Sequence, residues 1–284
     1  MTAFLLKLIA LLSMMVDHTG VVFQPLLSAP DYDFMRCIGR MAFPVFLFFI
    51  AEGCRHTSSI NLFIVRLGAF ALISELPFDL ALASFRGAPS DIFSLNSYSL
   101  TEYQNVFFTF FFGAVCVYLY KKFNRGSQRL IYCFLIPAFI YFGNKCNTDY
   151  GSVGVLFVFI LYVLPYGRQT PGFPKRMSEM GKFLRIAALF CMLFYLYIIK
   201  NVNWENGIAI IETGGFLALL EFLPQMISPR YVTFMLFSCI SLLLLFFYNG
   251  KRGMPQRWLF YSAYPAHLLL LGILRLMYIV PGMQ

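Results

Sequence analysis

Lys7, Asp17 and His18 are the ionisable residues of the apolar stretch LLKLIALLSMMVDHTG, residues 5 to 20. His18 follows Lys7 by eleven positions, an advance of three helical turns plus roughly 20°. Lys7, Leu11, Met14 and His18 therefore share one helix face, with His18 about 16 Å further along the axis. An ammonium at a membrane surface holds a phosphate as a point charge. A neutral imidazole deeper in takes a proton from a nucleophile. The pair suits an elongated cofactor with a charged head and a reactive tip. Lys7 taken alone also fits a side chain snorkelling to headgroups, and His18 a bond to a neighbouring helix. Ionisable groups far inside an apolar segment are costly, which weighs toward function. Asp17 points about 100° away from His18, so its expected partner is Arg40 of GRMAFP on the next apolar segment.

The segments that position these residues follow from composition. Hydrophobic residues make up 60% of the 284-residue chain and charged residues 12%, with mean hydropathy +0.72. A soluble domain needs about twice that share of charge. We read an all-α, polytopic transmembrane bundle, one integral domain over residues 1–284. At about 20 apolar residues per crossing, spans are expected near 3–24, 36–54, 60–80, 105–121, 129–143, 150–166, 183–200, 207–223, 231–248 and 257–280, about ten in all. Residues 3–24 read as a retained span rather than a cleaved leader.

The 22 basic and 13 acidic residues give a net charge of +9. The basic residues sit in short loops rather than in one patch, which argues against nucleic acid and for the cytoplasmic bias of Lys and Arg. Lys121, Lys122, Arg125 and Arg129 mark one cytoplasmic loop, and Arg168, Lys175, Arg176, Lys182 and Arg185 another. Counting back places the N-terminus in the cytoplasm and Asp31 and Asp33 outside. Strict alternation then puts Lys251, Arg252 and Arg257 outside, against the rule. Either 207–223 does not fully cross, or those charges serve function. The polar connection 81–104, with Arg86, Asp91 and Glu102, is placed to roof a site. Seven cysteines, odd in number and without CxxC spacing, argue against structural disulfides and zinc. No metal is expected.

Six stretches in order, LKLIALLSMMVDHTG, CIGRMAFPVFLFFIAEGCRHT, RLGAFALISELPFDLA, NVFFTFFFGAV, DYGSVGVLFV and RWLFYSAYPAHLLLL, resemble the TraX family, named for pilin N-acetyltransferases. That family is similar to the acyltransferase-3 class, whose first span carries Arg-x10-His and whose second often reads FF-x-x-SGF. Here Lys7 and His18 occupy the first pattern. FFIAEGC, 48–54, occupies the second, with Gly53 kept and Glu52 where serine is common. Lysine keeps the charge but lacks the bidentate fork. The resemblance implies a multi-pass enzyme of the cytoplasmic membrane that moves an acetyl group from acetyl-CoA to an amine of a membrane-associated or exported acceptor, such as a peptide N-terminus. O-acetylation of a lipid-linked sugar or polysaccharide, and a non-enzymatic transporter or assembly factor, are the alternatives.

On that reading His18 is the general base, with Asp17 and His267 beside it, and Lys7, Arg40, Asn105 and Arg257 face the acyl-CoA. Glu75, Asp79, Asp149 and Tyr264 face the acceptor. Each has a second reading. Glu75 and Asp79, around the helix-kinking Pro77, bind an acceptor ammonium or pair between helices with Arg40 or Arg66. Asp149 contacts substrate or caps a span end. Asn105 and Thr109, four apart, bind a pantetheine amide or bridge helices. Tyr264 and His267, three apart, are an interfacial belt, or His267 assists His18 or steadies charge on the thioester oxygen.

Overall fold

The computed structural model describes residues 1–82, 103–123, 129–164, 178–202 and 227–279. Long apolar runs become helices because only a helix satisfies its own backbone in hydrocarbon. The described elements are α1 Ala3–Val22, α2 Ala29–Gly39, α3 Ala42–His56, α4 Ile60–Leu82, α5 Val106–Phe123, α6 Arg129–Lys145, α7 Gly151–Val163, α8 Glu179–Tyr197, α9 Pro229–Phe246 and α10 Arg257–Tyr278. Polar residues start several of them: Ser28 accepts from the Asp31 N–H and Ser178 from the Gly181 N–H. Among the described residues there is no strand, only an isolated bridge between Gln104 and Thr148.

Among the described residues seven segments are long and apolar enough to cross a bilayer, with α2 and α3 counted together as the 28-residue segment Ala29–His56. α6 and α7 are shorter, at 17 and 13 residues. Leu6, Leu47, Phe48, Leu67, Leu161, Leu189 and Leu193 fill the interior, whereas Leu62, Val65, Leu72, Phe134, Leu236 and Leu243 face outward. Apolar side chains on both faces are what a lipid solvent requires. Small residues bring α5 and α7 together: a Cβ on Gly113 would stand 2.6 Å from Val158 Cβ, and one on Gly154 2.5 Å from Thr109 Cγ2.

Contacts at the helix ends correct the expected topology. The Met1 ammonium donates to Phe247 O at 2.6 Å, Ala3 N–H to Lys251 O at 2.9 Å and Phe4 N–H to Arg252 O at 3.1 Å. The Lys251–Arg252 loop thus lies at the same end as the N-terminus. Lys121 Nζ, bonded to Cys54 O at 2.7 Å, and Arg55, bonded to Tyr162 O, mark that end too. At the far end Arg230 meets Asp33 at 2.8 Å, and Arg275 donates to Leu80 O at 3.2 Å. The span expected near 207–223 and the charges of 83–102 lie outside the described residues. α8 ends and α9 begins together at the far end, where the Tyr197 and Phe234 rings touch. The basic loops at 121–122 and 251–252 therefore share the end of the N-terminus, where strict alternation had separated them.

Arg185, counted above among the charges of a cytoplasmic loop, is a second correction. It lies inside α8, fully buried, and donates to Glu52 Oε1 of α3 at 2.5 Å. A guanidinium in hydrocarbon has to find a carboxylate, and Glu52 supplies it.

Candidate functional site

The second crossing is broken. α2 stops at Gly39 and α3 restarts at Ala42, which leaves backbone carbonyls short of partners in an apolar slab. Ser13 Oγ donates to Ile38 O at 2.5 Å, Ser238 Oγ to Arg40 O at 3.3 Å and Arg40 Nε to Arg36 O at 3.1 Å. At the break Asp17 is held by two cations: Arg36 Nη1 at 2.8 Å, and Arg40 Nη2 at 2.9 and 3.0 Å from its two oxygens. Their side chains are only 11–14% exposed. The expected Asp17–Arg40 pair is present; Arg36 was missed, although its place four residues before Arg40 was a readable signal. Gly39 makes the approach possible, because a Cβ there would collide with the Asp17 side chain.

His18 faces α10. Its Nδ1 is 2.7 Å from His267 Nε2, with the rings parallel to 6°, and His267 Nδ1 is 2.8 Å from Ala263 O. A carbonyl only accepts, so His267 carries its proton on Nδ1 and offers the Nε2 lone pair. His18 must then donate from Nδ1, which leaves the lone pair of its own Nε2 as the proton acceptor. Tyr264 packs edge-on against both rings. Asp17, engaged by Arg36 and Arg40, is not the group that orients His18; His267 is.

A cavity of about 360 Å³ opens beside His18. Asp17, Arg36, Arg40 and Tyr264 line it, together with Tyr103, Asp149, Tyr150 and Lys200 from the far end. There Gln104 N–H donates to Asn147 O at 3.0 Å, Asp149 N–H to Gln104 O at 2.9 Å and Tyr103 Oη to Asp149 Oδ1 at 2.9 Å. Burial pushes the Asp149 carboxyl upward, against the Tyr103 hydrogen bond and the nearby Arg40. Tyr150 has φ +93°, a backbone conformation uncommon for a non-glycine residue that persists where the surroundings over-determine it. Its ring is stacked on Phe43.

The α1 face expected to carry Lys7 and His18 together does turn both toward α10. The Lys7 ammonium sits 4.8 Å from the Phe260 ring centre and 5.5 Å from that of Phe49. Lys7 is nonetheless outside the cavity lining. Leu11 and Met14, both buried, lie between it and His18.

A family model described as TraX protein matches residues 3–177, more than half of the chain. The chain belongs to the TraX family. A curated relative, the "Probable fimbrial assembly protein FimC, serogroup H1" of Dichelobacter nodosus, is 25% identical over 274 residues, covering 95% of this chain and 94% of the relative. No solved structure matches. The matched stretch holds His18, Asp17, Arg36, Arg40 and Asp149, whereas Lys200, Tyr264 and His267 lie beyond it.

In this TraX-family chain the remaining sequence candidates scatter. Asn105 Nδ2 donates to Glu75 Oε2 at 2.5 Å and to Ala71 O at 2.8 Å, and its Oδ1 accepts from Phe107 N–H. Glu75 and Asn105 thus bridge α4 to the start of α5, outside the cavity lining. Asp79 is half-buried on α4 and also outside it. Arg257 begins α10, but its side chain is outside the described residues. Beyond Arg36, Tyr103, Tyr150 and Lys200 were missed as cavity residues, since only the folded far-end loops bring them to the cavity that His18 lines. No group of three or more His, Cys, Asp or Glu among the described residues could hold a metal.

Proposed function

We propose that this TraX-family protein is an integral-membrane acyltransferase of the cytoplasmic membrane. It moves an acetyl group from acetyl-CoA to an amine of a membrane-associated or exported acceptor, such as a peptide N-terminus. The observation that carries this reading is the bond sequence Ala263 O, His267, His18, which leaves His18 Nε2 as a base beside a cavity. The acceptor nitrogen attacks the thioester carbonyl as His18 Nε2 takes its proton. The C–S bond breaks, and the proton passes to the departing thiolate. An amine is mostly protonated near neutral pH, so Asp149 suits the incoming ammonium and the base keeps the attacking form available.

The end bearing Lys121, Lys122, Lys251 and Arg252 is the cytoplasmic one on the positive-inside rule, which puts the N-terminus inside. Lys7 and the neighbouring Arg252 are placed to meet the CoA phosphates there. To bring the thioester to His18, the pantetheine arm has to displace Leu11 and Met14 along the α1–α10 face.

The curated relative's printed name favours a second reading, in which the protein assists assembly of a surface appendage without catalysis. A transporter is less well supported. Of the described spans only the second is interrupted, with no counterpart in a second half. Purified protein incubated with labelled acetyl-CoA, with and without amine and sugar acceptors, separates these readings. Transfer that disappears in a folded His18→Ala variant is the expected result; no turnover by wild type leaves the assembly reading standing.

A further inference from the structure

The turn that enters α7 breaks two local rules at one residue. Its backbone passes through positive φ at Asn147 (+46°), Tyr150 (+93°) and Gly151 (+52°). Asparagine and glycine accept that region readily, whereas a tyrosine does not. Tyr150 also stands where a helix favours a short polar side chain, and it caps no α7 N–H. The fold holds it there nonetheless: Tyr150 O accepts from Gly154 N–H at 3.1 Å, and its ring stacks on the buried Phe43. Packing on Phe43 asks only for a ring, which phenylalanine would supply equally. What the tyrosine adds is a hydroxyl in the cavity wall, with Arg40 and Asp149 close to it. Conflicts of this kind between local preference and fold concentrate where strain serves function.

We infer that Tyr150 sets the acceptor specificity of this cavity: Asp149 takes the ammonium of a peptide N-terminus, and the neighbouring Tyr150 hydroxyl donates to that peptide's first carbonyl oxygen. In a peptide the amine nitrogen and that oxygen are three bonds apart, so the two groups that read them have to stand side by side. Successive residues of extended backbone point to opposite faces. The left-handed turn at Tyr150 is what allows Asp149 and Tyr150 to line one cavity together. An amine without the oxygen leaves the phenol desolvated and unpaired, which is how a site built on hydrogen bonds rejects an analogue. That this occupant accepts an acetyl group rests on the acyl-transfer reading; its binding does not.

Calorimetry in maltoside micelles, without acyl-CoA and with empty micelles as control, compares two probes. One is a short apolar peptide amide with a free N-terminus; the other is the same peptide with its first peptide bond replaced by an E-alkene, which keeps the shape and drops the oxygen. Tyr150→Phe keeps the ring on Phe43 and should leave the unfolding midpoint in detergent unchanged. It should weaken binding of the normal peptide about tenfold, the loss of one hydrogen bond in a desolvated site, and leave binding of the alkene peptide as in wild type. No binding of the normal peptide by wild type, equal binding of it by wild type and Tyr150→Phe, or an equal loss for both probes would overturn the inference. Labelled acetyl-CoA turnover by wild type judges the acyl-transfer reading separately; where turnover is seen, Tyr150→Phe should raise the acceptor KM by a similar factor with kcat little changed.

Discussion

At the scale of single residues, the informative contact is the one His267 makes. His18 could not have been assigned a base nitrogen from sequence, because either tautomer of an isolated imidazole is available. Ala263 O fixes His267 and His267 fixes His18. His267 touches no reacting atom on this reading; it is a positioning residue. His267→Ala should lower the turnover number by roughly a hundredfold, at the low end of what general-base catalysis supplies, with the acceptor KM little changed. His267→Gln, whose amide oxygen still accepts from His18 Nδ1, should recover most of the rate. Steady-state kinetics of both variants checks this, and equal losses in the two would reduce His267 to packing.

At the scale of elements, the break between α2 and α3 makes the site. A continuous helix would have kept the backbone around Arg40 engaged and carried Arg40 to another face. The interruption at Gly39 instead folds Arg36 and Arg40 onto Asp17, with Ser13 and Ser238 supplying the missing donors. Gly39 sets the closeness of α1 and α2, since any Cβ there meets the Asp17 side chain. Gly39→Ala should cost about 1–3 kcal/mol, the usual range for overpacking, and pull Asp17 off its two arginines. A fall in the detergent-solubilised unfolding midpoint is the expected reading, and a wild-type midpoint would contradict the contact. Glu75 and Asn105 show the reverse case, polar residues in spans that hold α4 to α5 away from the cavity.

At the scale of the molecule, the fold resolves a conflict in the charge pattern. Lys251 and Arg252 lie beside the N-terminus through backbone hydrogen bonds to Ala3 and Phe4, so the basic loops share one end. In a cysteine-free background, Arg252→Cys and Lys122→Cys should react with a membrane-impermeant maleimide from the same side, and Arg230→Cys from the other. Arg252→Cys labelling from the side of Arg230→Cys would restore strict alternation and undo the arrangement.

Hydropathy and charge were enough to read an all-helical membrane bundle, to place nine of its apolar segments within a few residues apart from the early start at Ala29, and to single out His18, Asp17, Arg40 and His267. These are local properties: an apolar run must form helix in lipid, and an ion inside one stands out wherever it lies. The tertiary structure decided which ions meet. It paired Arg185 with Glu52, turned Glu75 toward Asn105, drew Tyr103, Asp149 and Lys200 to the cavity that His18 lines, and kept Lys7 apart from it. Those outcomes depend on how helices distant in sequence rotate and pack against one another, and helical periodicity fixes only the face a residue occupies, not the neighbour that face will meet.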